Sequence, residues 1–376
     1  MAYGFGGAEQ TTANLLGHLD RNRIERITLV APDMLRPYLP EAYDDFVDAF
    51  QYRLEGGFTT PGILYRDART TGALLRDLAP DVALGMMHYA SALVVLGARL
   101  ARLRTRTVAS YRGPFYEYMR RYERGFRRRL FLRAAVAGTA LLADRVIVPS
   151  HGTAEELRRR FLTPAARTVT IPNGIDHAAV ARTSGMPVPE LNDLNGAEVP
   201  IICAVARLTP EKNLGLLLEA FRRVRAARPA VLAVLGDGPE RANLEARIAD
   251  WGLANSVRLL GYRDNVYPYL RRADLFVHTC EFEGFGYTLL EALACGTAVV
   301  STDCPYGPRE ILGDSEYGVL VPPNDPAALA DAMLRLLADP AGQRALAARG
   351  HQRAEQLSIE RMVRAYETVF ADLACR

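Results

Sequence analysis

The second half of the chain alternates short apolar runs with amphipathic segments, and that alternation restricts the fold more than any other feature. "PIICAVARL" reads as a strand, followed by "LGLLLEAFRRVRAA", a helix with Leu217, Phe221 and Val224 at helical spacing. The strand "AVLAVLG", the helix "ERANLEARIADWG", the strand "SVRLLGY", a short helix at "YPYLRRA" and the strand "DLFVHTC" come next. "TAVVSTD" and "YGVLVPP" then add two more strands, with helices from Pro326 onward. Apolar strands separated by helices make a parallel sheet covered on both faces, so the class is α/β and this half is a Rossmann-like domain.

The first half repeats the rhythm less cleanly. Helices are expected at "AEQTTANLLGHL" and "SALVVLGARLARL", and strands at "RITLVAP", "DVALGMM", "RTVASY" and "DRVIVPS". This makes a second α/β domain, as suits a chain of 376 residues. The aperiodic stretch "SGMPVPELNDLNGAEVP" marks the boundary. The reading is an N-terminal domain over 1–180, a C-terminal domain over 198–355, and a helix over 356–376 that packs back onto the first domain. The glycine turn "GFGGAEQ" opens the chain with only three residues ahead of it, where a parallel sheet wants a strand. The expectation is that a first strand lies upstream of Met1.

The five cysteines form no C-x-x-C pair and give no zinc spacing; they read as reduced, mostly buried thiols of a cytosolic protein. No apolar run is long enough to span a bilayer. A net charge of +3 does not argue for nucleic acid, and no motif for it is present.

Ligands of such domains bind at the carboxyl ends of the parallel strands, here in a cleft between two facing domains. Three groups of residues sit at those ends in the second half. Arg207 follows the first strand, and Lys212, the one lysine among 46 basic residues, stands five positions later. "GDGP" follows the second strand, and "EFEGFGYTLLE" follows a later one and runs into a helix. A glycine turn entering a helix offers backbone N–H groups and a positive dipole end to an anion such as phosphate. Arg207 supplies a bidentate fork and Lys212 a compact point charge to the same place. With a diphosphate there, Glu291 in the first helical turn suits a ribose diol, and Glu283 ahead of the turn suits sugar hydroxyls. Thr288 to Glu291 also fits a capping box with Thr288 as N-cap, and the two roles of Glu291 are compatible.

At this point the chain resembles a family. The pair Glu283 and Glu291, Arg207 and Lys212 in "ARLTPEKNL", "GDGPE", "EGFGYTLLEALACGTAVVSTD", "IPNGID" and, more faintly, "GGAE" look like the retaining GT-B glycosyltransferases of family four. The resemblance implies a GT-B fold and a UDP-sugar donor held by the C-terminal domain. It makes Arg207, Lys212 and Glu283 the catalytic set, with Arg207 and Lys212 on the diphosphate. The donor pocket would take in Gly7, Gly284, Phe285, Gly286, Tyr287 and Thr288, Glu291 on the ribose, and Gly261 and Tyr262 near the base. The absence of any D-x-D agrees with a site that needs no metal or other cofactor. Retention implies attack on the face from which the diphosphate departs. "STDCPYGPREIL" looks most like members that move N-acetylhexosamines in glycan assembly, so the acceptor is expected to be a polysaccharide or a polyprenyl-diphosphate-linked glycan.

Many relatives carry a histidine after the strand matching "RTVASY", where this chain has Arg112, as some acetamido-sugar transferases do. Arg112 and His88 are the acceptor-side candidates, with packing or surface placement the plainer reading of His88. The segment Arg120–Arg133 holds seven arginines interleaved with Tyr122, Phe126, Leu130 and Phe131. It reads as a patch for an anionic membrane surface, placing the protein peripherally on the inner face of the cell membrane, or as a solvated helix face. Two other activities stay open: a sugar-nucleotide epimerase, against which stands the lack of a histidine to pair with Glu283, and a non-catalytic nucleotide-sugar binder.

Overall fold

The computed structural model describes residues 6–52, 54, 57–192 and 199–375. The chain forms two compact units, one of residues 1–173 with 359–376 and the other of 174–358.

The second unit carries a six-stranded parallel sheet. Its strands run in the order Val319–Val321, Ala298–Thr302, Leu275–His278, Ile201–Val205, Val231–Leu235, Val257–Gly261. Successive side chains of a strand point to opposite faces, and the buried residues divide accordingly. Ile202, Ala204, Leu232, Val234, Leu275, Val277 and Val300 share one core with Leu217, Phe221 and Val224 of the helix Leu214–Ala227. Ile201, Cys203, Ala233, Leu235, Phe276 and Val299 share the other with Leu289, Leu290 and Leu293 of the helix Tyr287–Ala294. Both faces are dry, which is why these strands read as continuous apolar runs. The strand order reverses direction between Ile201–Val205 and Leu275–His278. In a doubly wound sheet, ligands bind outside the carboxyl ends at such a switch point.

The first unit has a four-stranded parallel sheet in chain order, Val82–Met86, Arg106–Ser110, Arg145–Val148 and Thr168–Thr170. A separate parallel pair joins Thr28–Ala31 to Asp45–Asp48. The helix Ile359–Ala374 belongs to this unit, burying Ile359, Met362, Val363, Tyr366, Val369 and Leu373 with Val108 and Ile147 of the sheet.

The boundary differs from the sequence reading. Division falls after Asn173, not within 184–200, because Ile175, Val180, Val188 and Leu191 join the second unit's core. Ile175 also donates its N–H to the Leu357 carbonyl at 2.9 Å. Val188 and Leu191 lie in the proline-bearing stretch, and Val180 is the single buried residue of the short helix His177–Thr183, so no periodic signal announced their common destination. Part of that stretch, residues 193–198, lies outside the described residues, as does any strand ahead of the glycine turn. At the turn itself, the helix Gly7–His18 begins with Glu9 accepting from the Gly6 N–H at 3.1 Å. All five cysteines are free thiols, four buried and Cys375 exposed. Among the described residues, no helix is long and apolar enough to cross a membrane.

Candidate donor site at the switch point of the second sheet

Three loops leave the carboxyl ends of adjacent strands and are tied to one another by hydrogen bonds. After Ile201–Val205 the chain runs through Arg207 to a single 3-10 turn, Pro210–Lys212. After Leu275–His278 it runs through Cys280 and Glu283 to the helix Tyr287–Ala294. Thr279 Oγ1 donates to the Lys212 carbonyl at 2.9 Å, and the Glu281 N–H to the Glu211 carbonyl at 2.8 Å. The third loop follows Ala298–Thr302: Thr302 Oγ1 donates to the Cys280 carbonyl at 2.9 Å, and the Glu283 N–H to the Pro305 carbonyl at 2.6 Å. Glycines permit this closeness. A Cβ on Gly307 would overlap the Phe285 backbone, and one on Gly236 or Gly238 would overlap the carbonyls of Ala206 and Leu208. "GDGP" therefore supports the Arg207 loop from behind, with the Leu208 N–H donating to the Asp237 carbonyl at 2.9 Å.

Lys212 and Glu283 meet directly. Nζ donates to Oε2 at 2.6 Å, and the side chains are only 17% and 21% exposed. Burial alone would push the Glu283 carboxyl up, but Lys212 and His278 outweigh it and hold the group well below the usual carboxylate range. Burial likewise disfavours the Lys212 ammonium, and Cys280 and Glu283 outweigh that, raising the group above its ordinary value. Arg207 is looser, 58% exposed, with its guanidinium 3.8 Å from Glu211.

Two neighbours of Glu283 escaped the sequence reading. His278 is buried with Nε2 3.8 Å from Glu283 Oε2 and 3.0 Å from Cys280 Sγ. Its Nδ1 faces Ser301 Oγ at 3.1 Å. Burial works against an imidazolium there, but Cys280 and Glu283 overcome it and raise the group to about 9. The expectation that no histidine pairs with Glu283 is thus corrected. The lone signal was a histidine as last residue of an otherwise apolar strand, and its direction depended on strand register.

The helix after the glycine turn also starts differently from expectation. Its N-cap is Gly286, in the left-handed region at φ 105°, with no side-chain cap. Thr288 is the second helical residue, not the N-cap, because glycine adopts the turn conformation that threonine resists. Glu291 consequently sits in the fifth position, beyond the first turn, and forms no capping box. Burial pushes its carboxyl up to about 7, and no hydrogen bond reaches it among the described residues. Gly284 donates its N–H to Glu283 Oε1 at 3.1 Å, while Phe285 is buried and packs edge-on to Tyr287. Gly261 ends the strand Val257–Gly261 at φ 77°, with Tyr262 exposed beside it.

The remaining candidates lie in the first unit. Gly7 is the first residue of its opening helix. Arg112 is committed to a network, donating to Thr11 Oγ1 at 2.9 Å, to Tyr366 Oη at 3.1 Å and to Asn173 Oδ1. His88 is buried and stacked between Tyr111 and Phe115 with ring centroids at 4.8 and 4.4 Å. Burial lowers it to about 3, so the ring is neutral, and its Nε2 has no hydrogen-bond partner among the described residues.

The chain matches two family descriptions, "Glycosyltransferase Family 4" over residues 5–179 and "Glycosyl transferases group 1" over residues 193–353. It is 34% identical over 179 residues to the N-acetylgalactosamine-N,N'-diacetylbacillosaminyl-diphospho-undecaprenol 4-alpha-N-acetylgalactosaminyltransferase of Campylobacter jejuni, covering 48% of this chain and 47% of that one. It is 36% identical over 177 residues to the lipopolysaccharide core biosynthesis glycosyltransferase LpsE of Rhizobium meliloti, covering 46% and 51%. The chain spans about half or less of the length of the curated relatives it matches first. Its fold is similar to that of Anabaena HepE, crystallised with UDP-glucose, at a TM-score of 0.78 and 18% identity, covering 98% of this chain and 96% of that one.

Proposed function

The chain belongs to the group 1 glycosyltransferases of family 4, with the two Rossmann-like units of the GT-B class, and from that premise we propose that it moves a sugar from a UDP-sugar, with retention, to a lipid-linked or polysaccharide glycan. The observation that carries this reading is the Lys212–Glu283 ion pair at the sheet's switch point, beside Arg207 and the helix end at Gly286. A diphosphate placed there meets a half-buried ammonium, an exposed guanidinium and first-turn N–H groups. Charge developing on the departing diphosphate is met by those groups, which is why the reaction needs no metal. Lys212 has three donors and Glu283 uses one, so the ammonium can serve carboxylate and phosphate together. Glu283 in turn faces the sugar. Glu291, half-buried and with no hydrogen bond to its carboxyl among the described residues, suits the two hydroxyls of a ribose, and Gly261 and Tyr262 border the base.

An N-acetylhexosamine is the preferred donor sugar, in keeping with "STDCPYGPREIL" and with the activity named for the Campylobacter relative. The acceptor is assigned to the first unit, with Arg112 and His88 as framework rather than reacting groups. That unit is assigned to the inner surface of the membrane through Phe126, 79% exposed, with exposed Leu130, Tyr118 and Tyr122. Arg124 and Arg127, both exposed, form no ion pair among the described residues.

The test is incubation with UDP-N-acetylhexosamines and a polyprenyl-diphosphate-linked glycan. Acceptor-dependent UDP release, an α-linked product and indifference to EDTA are expected; release that ignores the acceptor contradicts the assignment. The His278–Glu283 proximity favours one second reading, a sugar-nucleotide epimerase, because it supplies an acid/base pair. Conversion of the UDP-sugar to its epimer without acceptor identifies that case.

A further inference from the structure

We propose that His278, Cys280 and Glu283 form a binding site for a thiophilic divalent cation, zinc by its chemistry, whose occupancy draws Glu283 from Lys212 and inhibits the donor site. The inhibitory clause rests on the function proposed above; the binding clause does not. Nε2, Sγ and a carboxylate oxygen of the three residues all lie within 4.8 Å of one another. The separations are 3.0 Å for Sγ to Nε2, and 3.8 Å for Oε2 to each of them. Zinc bonds of about 2.0–2.3 Å in tetrahedral geometry put ligand atoms roughly 3.3–3.7 Å apart, so shifts of a few tenths of an ångström close the set.

The supporting contacts favour a site over a chance cluster. Ser301 Oγ donates to the Thr302 carbonyl at 3.0 Å, which commits its proton and leaves it to accept from His278 Nδ1. That arrangement turns Nε2 toward the sulfur and the carboxylate, as an outer hydrogen bond does for a metal-bound histidine. The backbones carrying the ligands are fixed: His278 ends a strand, the Cys280 carbonyl is held by Thr302, and Glu283 is held by Pro305 and Tyr306. Thiolate, imidazole and carboxylate together select zinc over magnesium or calcium, which want oxygen alone. On binding, Sγ gives its thiol proton to solvent, as does Nε2 where the ring is charged, and both electron pairs go to the metal. Lys212 competes for Oε2, so the site is weaker than a closed structural one.

The test uses the full chain stripped with EDTA and titrated with Co²⁺, and then with Zn²⁺ against a chromophoric chelator. Wild type and the exposed-thiol control Cys375→Ser should show a thiolate-to-cobalt charge-transfer band and one equivalent of zinc bound at saturation. Cys280→Ser should lose the band and at least about tenfold in zinc affinity, with Mg²⁺ failing to compete. Zinc should also cut UDP-sugar turnover in wild type and spare Cys280→Ser. A band that survives in Cys280→Ser, or equal zinc affinity in both, overturns the site. If no nucleotide binds at all, the cobalt spectrum still decides the metal question separately.

Discussion

Glu291, proposed above to hold the ribose, also carries a stability signature of its own. Its folded value of about 7 stands above the ordinary 4.5, so folding favours the protonated form. Stability from this group is intact below about pH 4.5 and is lost as pH rises through about 7, by on the order of 1–3 kcal/mol. Glu291→Gln should therefore flatten part of the decline seen by denaturant unfolding between about pH 5 and 8; parallel pH profiles for the two proteins contradict the burial argument. At this scale the positions of Lys212, Arg207 and Glu283 in the loops after the strands were legible, because sequence order alone fixes location at a strand end; that of Glu291, beyond the first turn, was not. His278, Cys280 and Ser301 were not, since their meeting depends on the register of two neighbouring strands, His278 opposite Ser301.

Among the elements, the loops at the switch point depend on glycines that let backbones touch. Gly236 combines φ 125° with a direct approach to the Ala206 carbonyl. Gly236→Ala should cost about 2–4 kcal/mol and loosen the Arg207 loop, measured as a lower melting temperature with weaker UDP binding. An unchanged melting temperature would show that the loop can yield. The strands and long helices of the second half were readable because each buries a complete face, leaving period-2 or period-3.6 traces. The short strand Asp45–Asp48 was not: two aspartates bracket two apolar residues, and none of the four is buried. The Gly286 start of the next helix was also hidden, because a capping-box pattern at Thr288 and Glu291 competed with the glycine for the same role.

For the molecule as a whole, the membrane role proposed for the exposed apolar and basic residues of the first unit and the anion site proposed for the second are separable by mutation. Phe126→Glu with Leu130→Glu should abolish co-sedimentation with vesicles containing an anionic lipid and leave UDP affinity within about twofold of wild type. Retained sedimentation would assign the patch to solvent. The two-unit plan was legible from the repeated α/β rhythm. The boundary after Asn173 was not, because Ile175, Val180, Val188 and Leu191 reach the second core one at a time, from elements too short to leave a periodic trace. The switch point of the second sheet is proposed to hold a nucleoside diphosphate on Lys212. Calorimetric titration of UDP into wild type and Lys212→Ala, with folding checked by circular dichroism, tests it most directly. Saturable one-to-one binding in wild type and at least about tenfold weaker binding in the variant is the predicted result. Equal affinity in both, or no binding of UDP to the folded wild type, contradicts the account.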